Sequence, residues 1–173
     1  MIMSLAVTQL VGFGCKRSAS GACSCTPAYV TGNRTASITA SSSGITMNSG
    51  SMSELVDGST SDNTGFWPSG MSSASYMQFD FGSGNSIKIT ETKVYQGPTA
   101  TNWGTWKWQG SNDGSSWTDL TSSFTFAGAG DTTDTSLSGN TTGYRYYRLQ
   151  AVSPTASPAS TWIDEIEFKQ CTC

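Results

Sequence analysis

Five cysteines carry the most specific spacing in the chain: Cys15 stands alone, Cys23 and Cys25 form one Cys-x-Cys pair, and Cys171 and Cys173 form another at the far end. No cysteine lies between the pairs. The pattern predicts that the two chain ends meet, with Cys23 and Cys25 bridged to Cys171 and Cys173. Each bridge would close a loop of about 150 residues, which the chain-entropy view values at about 4 to 5 kcal/mol for a first bridge and much less for a redundant second. Spacing does not fix the connectivity. Two other chemistries stay open. One is a four-thiolate metal site, although structural zinc normally takes two to four intervening residues and here there is one. The other is a set of reduced thiols. Cys15 reads as a small buried apolar residue.

What is missing is equally informative. The chain has no histidine, which removes the usual general base, Ser-His-Asp and Cys-His arrangements, and every metal site that depends on imidazole. Asp164, Glu165 and Glu167 resemble a carboxylate pair, but one short segment cannot flank a sugar from two sides as glycoside hydrolysis requires. Gly128-Ala-Gly130 is followed by neither a Lys nor a helix start, so it is not a phosphate-binding loop. The chain therefore reads as non-catalytic. A net charge of −3, with no basic run longer than Lys16-Arg17, gives no footprint for a phosphate backbone and excludes nucleic acid as a partner. No apolar run reaches the roughly 18 residues of a membrane span.

Recognition chemistry remains. A sugar needs an aromatic face for the C–H side of its ring and a few fixed donors and acceptors for its hydroxyls. Trp103, in Thr101-Asn-Trp-Gly104, is flanked by loop-type residues and is the leading candidate platform, with Asn102 beside it; Trp67 and Trp162 follow. Trp106, Trp108 and Trp117 read as core or structural. The forked donors of Arg145 and Arg148 suit a carboxylate or an acidic sugar, and equally a structural ion pair with Asp80 or Glu167.

The elements that must hold these residues are strands. Serine and threonine total 53 of 173 residues, glycine adds 19, and charged residues are only 12%. Polarity thus comes from small hydroxyls and turns, against long helices and coiled coils. Six Trp, six Tyr and seven Phe supply more apolar surface than a disordered chain carries. In Tyr76-Met-Gln-Phe-Asp-Phe81, Met77, Phe79 and Phe81 alternate with polar neighbours, the period of a strand with one buried face. Ile87 to Tyr95, Thr105 to Gln109, Phe124 to Phe126, Tyr144 to Leu149 and Ile163 to Phe168 read likewise. Asp113-Gly114 supplies a tight turn. The reading is all-β, about eight strands in a sandwich.

Residues 1–35 read as an irregular arm, with Pro27, Gly32 and Asn33 at its end, and residues 36–173 as the folded domain. The apolar start lacks the basic region and Ala-x-Ala site of a signal peptide, so it is expected to pack on a neighbouring subunit.

Leu55-Val-Asp-Gly58, Phe66-Trp67, Tyr76 to Gly82, Trp108-Gln-Gly-Ser-Asn-Asp-Gly-Ser-Ser-Trp-Thr118, Tyr144-Arg-Tyr-Tyr-Arg-Leu149 and Ile163-Asp-Glu-Ile-Glu-Phe168 occur in this order. The series resembles discoidin domains, also called coagulation factor type C domains, which belong with the galactose-binding-like carbohydrate modules. The resemblance spans about residues 36 to 170. It implies an eight-stranded jelly roll with adjacent termini and a non-catalytic binding role. It also implies a structural Ca2+ held by Asp57, Thr64 and Glu165, with Asp62 able to replace a ligand in a loop longer than the usual pattern. Six to eight hard oxygens would be needed. Residues Val7 to Gly14 resemble the openings of some bacteriophage structural proteins. Together these imply a glycan-binding surface or decoration protein of a larger assembly, a phage virion, docked through residues 1–35. Its expected place is the virion surface or the extracellular space, and its partners are cell-surface glycans and virion subunits. The alternatives are a virion cement protein without sugar binding, or a secreted bacterial adhesin module.

Overall fold

The structure is a computed structural model that describes residues 16–17, 23–24, 26–61, 67–97, 103–128, 130–154 and 162–172. Of residues 16, 17, 23, 24, 67, 68 and 172 it describes the backbone alone. In chain order the strands are β1 (Lys16–Arg17), β2 (Cys23–Ser24), β3 (Ala28–Val30), β4 (Thr39–Ser43), β5 (Thr46–Ser49), β6 (Trp67–Ser69), β7 (Tyr76–Asp80), β8 (Ile87–Gln96), β9 (Gly104–Ser111), β10 (Thr118–Asp119), β11 (Phe124–Thr125), β12 (Thr132–Ser136), β13 (Tyr146–Pro154) and β14 (Ile163–Thr172). A short 3-10 helix at Met52–Val56 is the one helical element among the described residues.

Two antiparallel sheets form the body. One has the order β10-β9-β13-β7-β4, with β11 also on β9, and the other β12-β8-β14-β3. Each principal strand sends its apolar set to the space between them. Met77 and Phe79 of β7, Trp106 and Trp108 of β9, and Tyr147 and Leu149 of β13 face Ile89 and Val94 of β8 and Ile166 and Phe168 of β14, all buried. Phe168 joins the layers, edge-on to Phe79 at 5.1 Å and to Trp108 at 5.8 Å between ring centroids. Such edge-to-face contacts add to the area that the rings remove from water. The all-β sandwich expected from alternation and turn spacing is therefore what forms.

The boundary expected at residue 35 is too late. β3 pairs with β14 through Val30 and Phe168, Tyr29 and Lys169, and Ala28 and Gln170, and Arg34 is buried. The strand is short and lies at the edge, so its sequence carries no run of alternation to announce it. This pairing sets residues 28–30, just after the first cysteine pair, beside the strand that carries Cys171, the direction in which the cysteine spacing points. Cys171 is buried and disulfide-bonded. Cys15, Cys25 and Cys173 lie outside the described residues, as does the side chain of Cys23.

Candidate functional site

One end of the sandwich gathers the ends of four strands. β13 finishes against the start of β9, with Pro154 opposite Gly104. β8 finishes against the start of β14, with Gln96 opposite Ile163. Gly97 donates its N–H to Trp162 O at 3.1 Å and accepts from Gly130 N–H at 2.9 Å. A side chain at Gly97 would meet Trp162 Cβ at 2.6 Å, so glycine is what lets these two connections touch. Buried Gln96 holds the neighbouring turn: its amide donates to Ala127 O at 3.0 Å and its Oε1 accepts from Thr133 Oγ1 at 2.9 Å. Its type and spacing gave no sign of this, since a strand-ending Gln is ordinary in sequence. The described residues that flank 98–102 and 155–161 lie at this end. Asn102 lies outside the described residues. Trp162 is half-buried at the rim.

Trp103 is not a platform. It is 1% exposed, edge-on to Trp106 at 6.2 Å and to Phe126 at 5.8 Å. Its carbonyl accepts the indole N–H of Trp106 at 2.8 Å. The Asn-Trp-Gly sequence looks like a loop, yet Gly104 opens β9 at once with φ 74°, which turns Trp103 into the rim of the core. For Trp67 the structure gives the backbone of β6 alone, opposite Ser49.

The two arginines part ways. Arg145 closes its fork on Asp80, Nε to Oδ1 and Nη2 to Oδ2, both at 2.7 Å. The pair is structural, which corrects its reading as a ligand contact, and these hydrogen bonds hold the Asp80 carboxyl below its ordinary value. Arg148 has no carboxylate partner among the described residues. Its Nε donates to Gln109 Oε1 at 2.7 Å, and Gln109 Nε2 donates to Asp119 Oδ1 at 2.5 Å. Its guanidinium lies 4.0 Å from the ring centroid of Trp117 and 5.0 Å from that of Tyr76, a sandwich that desolvates it and lowers its proton affinity. Alternation puts Arg148, Tyr76 and Gln109 on the face of the larger sheet turned away from the core, and among the described residues the Nε bond to Gln109 is the side-chain hydrogen bond that Arg148 makes.

The calcium ligands implied by the family fare differently. Glu165 is wholly buried, but its Oε2 accepts Gly58 N–H at 2.9 Å and its Oε1 faces the guanidinium of Arg34. Asp57 Oδ1 accepts Ser59 N–H at 2.8 Å. Asp62 and Thr64 lie outside the described residues. Among the described residues no group of three Cys, Asp or Glu converges as a metal site, and a divalent ion would have to share Glu165 with a guanidinium. Glu165 and Asp57, with the partners they have here, do not fit a calcium cage. Sequence reading missed Arg34 because no pattern links it to Glu165, far along the chain.

The F5/8 type C domain family matches residues 37–166. No curated protein sequence matches significantly. Among solved structures, the family 32 carbohydrate-binding module of Clostridium perfringens NanJ, in complex with galactose, is 14% identical with a TM-score of 0.59, covering 80% of this chain and 97% of that one. Another family 32 module of Clostridium perfringens, in complex with GalNAc-β-1,3-galactose, is 16% identical with a TM-score of 0.60, covering 77% and 95%. The C-terminal domain of a Bacteroides fragilis chitobiase is 17% identical with a TM-score of 0.57, covering 78% and 95%.

Proposed function

Because the chain belongs to the F5/8 type C (discoidin) domain family, we propose that it is a non-catalytic glycan-binding module carried on the surface of a larger assembly. The observation that carries the reading is the shared sandwich: modules of this architecture are seen with galactose and with GalNAc-β-1,3-galactose. The proposed contact region is the end where Gly97, Gly130 and Trp162 meet, with Asn102 and Trp162 as ligand residues and galactose- or GalNAc-terminated glycans as the ligand class. Buried acids support a binding role over a catalytic one. Glu165 is tied to Arg34 and Gly58, Glu167 accepts the Tyr95 hydroxyl at 2.9 Å, and both lie along one strand, where they cannot flank a sugar.

The residues ahead of β3 serve as the attachment segment to a virion subunit, so that many copies act together. Single-site sugar affinity is weak, and multivalent display converts it into useful avidity. A virion cement protein without sugar binding and a secreted adhesin module are the competing roles. A second contact reading rests on Arg148, whose guanidinium, stacked between Trp117 and Tyr76 and without a carboxylate partner among the described residues, suits an acidic sugar on the open sheet face.

The test is a glycan array probed with the full chain on a multivalent carrier. Binding to galactose- or GalNAc-terminated glycans, reduced at least tenfold in Trp162→Ala, is the expected result. Binding confined to sialylated or uronic glycans and lost in Arg148→Gln would move the site to the sheet face. Silence across the array would leave the cement role.

A further inference from the structure

We propose that the guanidinium of Arg34 is the cation around which this domain closes its calcium-type corner, so that the fold stands without a divalent metal. The inference concerns stability and is independent of what the loops bind.

A wholly buried carboxylate such as Glu165 must meet a counter-charge or be neutralised, because burial of an unpaired charge is costly. Arg34, 3% exposed, supplies it. Its remaining donors reach backbone oxygens, Nε to Gly32 O and Nη1 to Ile166 O, each at 3.0 Å. Its own amide donates to Val56 O at 2.8 Å, and its carbonyl accepts from Ser37 N–H and Ile38 N–H, each at 2.9 Å. One residue therefore fastens three segments: its own turn, the end of the 3-10 helix, and β14.

The oxygens it gathers are of the kind a hard cation uses, two carbonyls and a carboxylate. A planar fork with five fixed donors satisfies them directionally, whereas a compact ammonium would not. Once the guanidinium is in place, a divalent ion at Glu165 would sit against a like charge in a buried setting, where repulsion is screened least. Asp57 is half-buried, its Oδ1 caps its own turn through Ser59, and its charge adds to the field that favours the guanidinium.

The experiment is thermal unfolding of the full chain in chelator and in millimolar calcium, together with terbium luminescence sensitised by the aromatic residues. The expected result is one Tm in both solutions and no terbium signal that depends on Glu165. Arg34→Met should lower Tm by about 10 °C, as expected for a buried ion pair broken on one side, and adding Glu165→Met should recover most of that loss. A Tm lowered by chelator, or terbium bound by the wild type and lost in Glu165→Gln, would overturn the proposal. Both of those readings come from proteins that keep Arg34, so they decide the matter even if Arg34→Met does not fold.

Discussion

A guanidinium is read by what meets its donors, and the three arginines described above meet three different things. Arg145 grips Asp80, Arg34 grips Glu165, and Arg148 lies between two rings. For Asp80 the sign follows from its lowered pKa: the stability it contributes is present above its ordinary value of 3.8 and is lost as pH falls through the lower folded value. Asp80→Asn should therefore shrink the acid-side loss of the urea midpoint between about pH 5 and pH 2, and an unchanged loss would show that other carboxylates govern it. Trp103 has the opposite character from a surface ring. Trp103→Ala should cost about 3 to 5 kcal/mol of unfolding free energy in denaturant titration, as for other large-to-small core changes. Trp103→Phe should cost much less, because the indole N–H has no acceptor among the described residues. Residue types in the sequence singled out Trp103, Arg145 and Arg148 but not Arg34. The assignment of roles needed partners that lie far along the chain, as Arg34 and Glu165 do.

At the level of elements, legibility followed the buried face. β7, β9, β13 and β14 were readable because each places large apolar side chains two residues apart. β4 and β12 were not, since Thr39–Ser43 and Thr132–Ser136 are edge strands of small hydroxyl residues with half-buried alternation. β8 was readable in extent but not in phase. Its buried positions run Ile87 and Ile89, then Thr92, Val94 and Gln96, with the shift where Lys169 opposes Glu91 and Gln170 opposes Ile89. A bulge there turns the second half of the strand over, and no periodic count along one strand foresees that. The close approach of the 32–33 turn to Gly58 was hidden for the same reason. Gly58 has φ 85°, and a Cβ on it would lie 2.4 Å from Gly32 C. Gly58→Ala should thus lower stability by more than the roughly 1 kcal/mol of a left-handed backbone alone, measurable as a shift in denaturant midpoint. A neutral result would mean the turn gives way freely.

For the whole molecule, the order of blocks along the sequence already implied the sandwich, and the paired cysteines implied that its ends meet. β3 on β14 and the bonded Cys171 agree with that picture, so reductant should lower the unfolding temperature of the full chain by several degrees. The proposed site lies at the end where β8, β9, β13 and β14 exchange connections. Its loops carry the proposed recognition, while Arg34, the ring cluster around Phe168 and the turn held by Gln96 keep their anchor points fixed. The most direct test is a galactose titration of the isotope-labelled full chain followed through backbone amide chemical shifts. The account predicts saturable shifts centred on Gly97, Gly130, Trp162 and the segments 98–102 and 155–161. Shifts confined to the opposite end, around Asn112 to Trp117 and Gly82 to Asn85, or none at any concentration, would contradict it.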